Sequence, residues 1–252
     1  MNNPCVAHRG WSGRAPENTM SAIRLALDEP EVEWIEIDVQ LTKDHIPVVI
    51  HDYSLRRTTN GKGEVKARTA AELAELDAGN WFSQKYQGER IPTLEQVLRE
   101  AKGRCKLNIE LKTDGIRYPH IEEKVLALLQ RYDMEREVVI TSFHEGTLYR
   151  VRRLNDIVRT GIIIDKWRTT LPQELKELGC DFLSIGYSRL NKLRLNELQK
   201  AGIQVMAWTI NDTNTIRKLA ALDARLMICT NYPERWQEAR RNDQARRRLW
   251  WK

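Results

Sequence analysis

The sequence predicts an α/β fold, specifically a TIM (β/α)8 barrel, on three observations. Short apolar runs with strand character alternate with helix-period segments along the whole chain. The tally is nine strand candidates and eight helical ones, which suits a closed barrel. No G-x-G-x-x-G follows the first strand and no Walker motif occurs, which lowers the main rival, a doubly wound open sheet.

In chain order, the strand candidates begin with CVAH (5–8), WIEIDVQL (34–41) and PVVIH (47–51). KLNIEL (106–111), VVITSF (138–143) and TGIII (160–164) follow, then FLSI (182–185), QVMAW (204–208) and LMICT (226–230). Helical patterns fall at 18–28, 94–102, 120–132, 145–155, 171–178, 193–201, 212–222 and 233–248. Asn211 and Asp212 suit the cap of the helix at 212–222. The segments 34–41 and 47–51 read as one interrupted strand or as a strand pair. Residues 53–91 break the rhythm: NGKG (60–63) is turn chemistry, and TAAELAELDAG (69–79) is a short helix with a glycine end. This stretch is too long for an ordinary loop and reads as an insertion over one end of a single catalytic barrel spanning 1–252.

Bulk properties narrow the class. Of 252 residues, 41% are hydrophobic and 30% charged, as in an ordinary soluble protein. No apolar run approaches the roughly 18 residues that span a bilayer. MNNPCVAHRG lacks the basic start and apolar stretch of a signal peptide, so a cytoplasmic location is expected. Cys5, Cys105, Cys180 and Cys229 lie far apart in strand-like segments, which argues for reduced core thiols and against zinc. The net charge is +6, and residues 234–252 carry seven Lys/Arg against three Asp/Glu, or +4 of it. The body is nearly balanced, so the charge gives no case for a nucleic-acid partner beyond the tail.

The informative feature is a pair of polar strand faces. In WIEIDVQL, Ile35, Ile37, Val39 and Leu41 share one face while Trp34, Glu36, Asp38 and Gln40 share the other. In KLNIELK (106–112), Leu107, Ile109 and Leu111 oppose Lys106, Asn108, Glu110 and Lys112. An E-x-D on an isolated strand is most often a solvated face. Two strands with the same pattern shift that balance. In a barrel the apolar faces pack under helices, sending Glu36, Asp38, Glu110 and Lys112 toward the interior or mouth. Three converging carboxylates need protons or a cation, and hard oxygen donors favour Mg²⁺ or Ca²⁺.

His8 and His51 each end a short apolar strand, giving HRG (8–10) and HD (51–52). Chemistry in such folds gathers at strand carboxyl ends, and histidine exchanges protons near neutral pH. Arg9 offers a fork for phosphate, and Gly10 lets the chain turn tightly. A cation, two histidines, Arg9 and Lys112 together suit a reaction at phosphorus. His45, His120 and His144 look like loop or helix-start residues and receive no role.

These motifs resemble the glycerophosphodiester phosphodiesterase family, most closely its short cytosolic bacterial type. HRG (8–10), PENT (16–19), EIDVQLTKD (36–44), VVIHD (48–52) and LRRTTNGKGEV (55–65) carry the likeness. LDAGNWF (76–82), IPTLEQVL (91–98), IELK (109–112), TSF (141–143), WTIN (208–211) and TNYP (230–233) extend it in order. The resemblance implies metal-dependent hydrolysis of glycerophosphodiesters to sn-glycerol 3-phosphate and an alcohol such as choline or ethanolamine. It implies a catalytic pair at His8 and His51, and one Mg²⁺ or Ca²⁺ at Glu36, Asp38 and Glu110. It further implies phosphate contacts at Arg9 and Lys112, a pocket residue at Trp208, and supporting residues at Asn18 and Asp52. The mechanism implied by the resemblance runs through a cyclic phosphate made by the substrate's own glycerol 2-hydroxyl. A lysophospholipase D using the same site, and a binding barrel without activity, are the alternatives.

The last strand departs from the family. It reads ARLMICTNYP where relatives often carry D-G-I-I-T-D-x-P, so Leu226, Met227 and Asn231 stand in place of Asp, Gly and Asp. These positions are expected to lie outside the metal–histidine set, leaving catalysis intact. The tail, with Leu249, Trp250 and Trp251 beside basic residues, reads as a terminal helix with a solvated end. A weak contact with an anionic membrane surface is its functional alternative.

Overall fold

Alternation along β2 (Val32–Leu41) sorts its side chains into two environments. Ile35, Ile37, Val39 and Leu41 join the main core beneath the helices, as do Leu107, Ile109 and Leu111 of β4 (Lys106–Leu111). The other face of β2 looks inward. There Trp34 packs with Val6, Val139, Phe182, Met206, Met227 and Cys229 in a separate cluster that fills the barrel interior. Beyond Trp34 the same face turns acidic, through Glu36 and Asp38 to Gln40, all buried.

A computed structural model describes the backbone of residues 1–250 and the side chains of residues 1–243. β1 (Cys5–His8) leads to α1 (Met20–Leu27), β2, β3 (Pro47–Val49), α2 (Ala70–Ala74), α3 (Leu94–Ala101) and β4. Then come α4 (Ile121–Arg131), β5 (Val138–Ser142), α5 (Glu145–Leu154), β6 (Arg159–Ile164) and α6 (Leu171–Glu177). β7 (Phe182–Gly186), α7 (Lys192–Lys200), β8 (Gln204–Trp208), α8 (Thr213–Ala220), β9 (Met227–Thr230) and α9 (Pro233–Trp250) complete the order. Strands β1, β2 and β4–β9 are parallel, and β1 pairs with both β2 and β9, so the sheet closes as an eight-stranded barrel.

β3 is not a barrel strand. β2 outruns β1, and the extra length of β2, Val39–Leu41, pairs antiparallel with Val49, Val48 and Pro47. The segments 34–41 and 47–51 are therefore a strand pair. The return strand carries the chain back down, and the Ile50 amide donates to the Asp38 carbonyl at 2.9 Å. Residues 53–91 pack a small apolar cluster of their own, with Leu55, Val65 and Leu73 joined to Val48 and Ile50.

Local signals fix the helix starts. Thr19, the last residue of PENT, caps α1, and Thr93 with Gln96 forms a capping box on α3. Asp212 caps α8, whereas the Asn211 side chain accepts from the Asn231 amide at 2.9 Å. All four cysteines are buried and free. No described helix is long and apolar enough to cross a membrane. The tail residues Leu249, Trp250 and Trp251, on which the membrane expectation rests, lie outside the described side chains.

Gly10 is a strict backbone requirement. Its φ is +76°, and a Cβ there would lie 2.7 Å from the Ala22 carbonyl carbon. Gly10→Ala is expected to destabilise the fold by at least about 1–3 kcal/mol, read as a lower urea midpoint at unchanged slope.

Candidate active site

The site is built where β1, β2 and β4 end. After His8 the chain enters the left-handed region at Arg9, φ +58°, an uncommon conformation for a side chain of that size. The Arg9 amide donates to Glu36 Oε2 at 3.0 Å, while its Nε lies 3.2 Å from Asp38 Oδ2 and its Nη1 donates to Glu17 at 2.7 Å. The local turn aims both the backbone and the guanidinium at the acids.

Parallel register supplies the rest. β2 and β4 align Glu36 with Asn108 and Asp38 with Glu110. Carboxylate oxygens of Glu36, Asp38 and Glu110 lie within 4.8 Å of one another. Lys112 donates to Glu110 at 2.8 Å and lies 3.8 Å from Asp38 Oδ1. Asn18 donates to Asp38 Oδ2 at 2.8 Å.

Both histidines have Nδ1 held by a side-chain oxygen and Nε2 turned toward charged groups. His8 Nδ1 is 2.6 Å from Asn231 Oδ1, and its Nε2 is 3.8 Å from Glu36. His51 Nδ1 is 2.6 Å from Asp52 Oδ1, and its Nε2 is 3.2 Å from Lys112 Nζ. A carboxylate oxygen only accepts and an ammonium only donates, so neutral His51 carries its proton on Nδ1.

His8, Arg9, Glu36, His51, Glu110, Lys112 and Trp208 line one cavity of about 140 Å³. Phe143, Ile163, Ser184 and Met206 are also part of its wall. Of the remaining expected residues, Asn18 and Asp38 sit behind this surface and Asp52 backs His51. His51 reaches the mouth two residues beyond the antiparallel return strand β3, not at the end of a barrel strand as its motif suggests. His144 caps α5, and His45 and His120 are exposed, away from the cavity.

The expectation that Asn231 stands apart from the histidines is corrected by its contact with His8. Closure of the barrel sets β9 beside β1, so a residue 223 positions away meets the first strand's end. Leu226 packs in the helix-facing core and Met227 in the interior, neither lining this cavity. Three further residues went without a role in the sequence. Glu17 and Arg57 lie inside quoted motifs. Gln40 shares the face of Glu36 and Asp38, and its amide donates to the Ile50, His51 and Asp52 carbonyls at 2.9 Å each. Its Oε1 accepts from buried Tyr118 at 2.6 Å. Period-two alternation from Asp38 was the available signal for Gln40.

Burial and crowding split the acids. Burial, then the charge of Asp38, pushes Glu36 well above the usual carboxylate range. Burial and Asp38 likewise raise Glu110 to about 7 despite Lys112. Burial alone would raise Asp38 too, but Arg9, His51, Lys112 and the Asn18 hydrogen bond hold it low. Burial and the adjacent Arg9 lower His8 to about 4. Asp38 Oδ1 is buried without a hydrogen-bond partner. An orphaned carboxylate oxygen amid two neighbouring acids, with hard donors only, fits a divalent cation.

A family model described as the Glycerophosphoryl diester phosphodiesterase family matches residues 8–235. Bacillus subtilis YhdW is 40% identical over 232 residues, covering 91% of this chain and 94% of its own. A glycerophosphodiester phosphodiesterase of Caldanaerobacter subterraneus is 36% identical over 242 residues, covering 93% and 96%. An Oleispira antarctica phosphodiesterase, solved in complex with the product sn-glycerol-3-phosphate, superposes with a TM-score of 0.84 at 33% identity, covering 94% and 96%.

Because burial and the charge of Asp38 raise Glu36 and Glu110 above the usual carboxylate range, binding of a divalent cation among them is expected to release protons near neutral pH. Affinity should rise as pH climbs through about 7 and then level off. Calorimetry in two buffers of different ionisation enthalpy measures this; a buffer-independent heat at pH 6.5 would contradict it.

Proposed function

This chain belongs to the glycerophosphoryl diester phosphodiesterase family, and from that premise we propose that it hydrolyses small glycerophosphodiesters to sn-glycerol 3-phosphate and an alcohol. Glycerophosphocholine and glycerophosphoethanolamine are the substrates proposed. The observation that carries the reading is two Nδ1-anchored histidines on one small cavity with an acid triad, Arg9 and Lys112. A cavity of about 140 Å³ suits a glycerol phosphate group, and the Oleispira relative holds that product.

Arg9 and Lys112 take the non-bridging phosphate oxygens. Opposing acids favour the charged form of each more than burial disfavours it, so both stay cationic. Glu36, Asp38 and Glu110 would hold one divalent cation, Mg²⁺ or Ca²⁺. When bound it neutralises charge that builds on the phosphoryl oxygens. Phe143, Trp208 and Met206 face the substrate's carbon atoms and limit water.

His8 and His51 move the protons through Nε2. One accepts the proton of the glycerol 2-hydroxyl as its oxygen attacks phosphorus. The other donates to the departing alcohol, leaving a cyclic phosphate. In the second step the two exchange roles, and a water proton is removed as the water oxygen opens the ring. Asn18 holds Asp38 in place, and Asp52 orients His51.

Release of glycerol 3-phosphate from glycerophosphocholine tests the function. It should stop with EDTA and resume with Mg²⁺ or Ca²⁺; no turnover of any glycerophosphodiester at saturating metal would sink the reading. His8→Ala should cut kcat by about 10²–10⁴-fold with metal binding kept, while Glu36→Ala weakens metal binding as well. A 2-deoxyglycerol analogue should resist cleavage. Normal turnover of that analogue would exclude internal attack.

A further inference from the structure

Arg57 lies on the insertion, outside the cavity, and the mechanism above gives it no task. Its guanidinium nonetheless grips two carboxylates at once. Nε and Nη2 donate to Asp52 at 2.6 and 3.0 Å, and Nη1 and Nη2 donate to Glu17 at 2.8 Å each. Each of those acids backs a residue of the site. Asp52 accepts from His51 Nδ1 at 2.6 Å, and Glu17 accepts from Arg9 Nη1 at 2.7 Å. The connection runs unbroken from His51 through Asp52, Arg57 and Glu17 to Arg9 and on to Asp38.

We propose that Arg57 is a positioning residue for the reaction, fixing Asp52 and Glu17 in one planar fork so that His51 keeps its Nδ1–H tautomer and Arg9 keeps its aim. The insertion thereby becomes part of the working site instead of a cover over it. This rests on the roles proposed above for His51 and Arg9.

Three features support the assignment. The segment that carries Arg57 is anchored, since Leu55, Thr58 and Thr59 are buried. The paired geometry needs a guanidinium, because an ammonium is a point charge and cannot bond two carboxylates bidentately. Asp52 is held well below the usual carboxylate range, first by hydrogen bonds from Arg57, so it remains an acceptor for His51. A bland alternative is an ordinary surface ion pair, for the Arg57 side chain is 43% exposed and exposed pairs add little stability. The two readings separate in kinetics, not in unfolding.

The experiment compares wild type with Arg57→Ala, Arg57→Lys, Asp52→Asn and Glu17→Gln on glycerophosphocholine at saturating metal. Arg57→Ala should lower kcat by about 10–100-fold and raise KM. Asp52→Asn should act mainly on kcat, and Glu17→Gln mainly on KM. Arg57→Lys should stay impaired, and millimolar guanidinium should recover part of the Arg57→Ala loss. Arg57→Ala or Arg57→Lys within twofold of wild type in both constants would overturn the proposal. If Arg57→Ala fails to fold, Arg57→Lys, which keeps the charge and aliphatic stem, decides it. Long-range ¹H–¹⁵N spectra of His51 give a reading without substrate: the Nδ1–H form should dominate in wild type and give way in Arg57→Ala. An unchanged tautomer balance would overturn the proposal even if no substrate were turned over, whereas an inactive wild type would instead remove the functional reading.

Discussion

Three carboxylates gathered at the mouth of a parallel barrel are the constraint around which the other parts are arranged. Glu36 and Asp38 are buried and Glu110 is half-buried beside them, where unpaired charge is costly. Every nearby feature answers that cost. Arg9 and Lys112 bring two cations, Asn18 brings an amide, and the Arg9 backbone supplies one more donor. Even so, Glu36 and Glu110 remain reluctant to ionise, and one oxygen of Asp38 stays without a partner. Three carboxylates against Arg9 and Lys112 leave the site with a net negative charge, which a cation bound among them would offset.

The barrel makes this concentration of charge feasible by separating it from the apolar interior. Trp34, Val6, Phe182 and Met206 fill the interior, while β2 and β4 present acids further along the same inward faces. The excess length of β2 then recruits β3, and that short antiparallel return brings His51 back to the level of Asp38. Gln40 ties the returning segment down with one side chain, and Tyr118, from the loop after β4, completes the tie. An imidazole is placed beside the acids by a backbone excursion outside the repeating β/α pattern.

Behind the cavity lies a second set of contacts in which each histidine has its own anchor. His8 leans on the neutral amide of Asn231, and His51 on the carboxylate of Asp52, which Arg57 grips in turn. The two histidines therefore sit in different electrostatic settings despite their similar strand-end motifs. Asn231, at a departure from the family pattern, is in contact with the site and not remote from it.

Periodicity along the chain by itself determined the alternating α/β order, the apolar and acidic faces of WIEIDVQL and KLNIELK, and the strand-end histidines. These are legible because side-chain direction follows from local backbone geometry, two residues per repeat in a strand. The motif series added the family, and with it Trp208 as a residue of the cavity wall. Only the tertiary structure decided that 47–51 pairs antiparallel to β2, that Arg57 joins Asp52 to Glu17, and that Asn231 touches His8. Those contacts join residues as much as 223 positions apart. The Asn231–His8 contact exists because the sheet closes on itself, and no local pattern of residues encodes which strand ends become neighbours when it does.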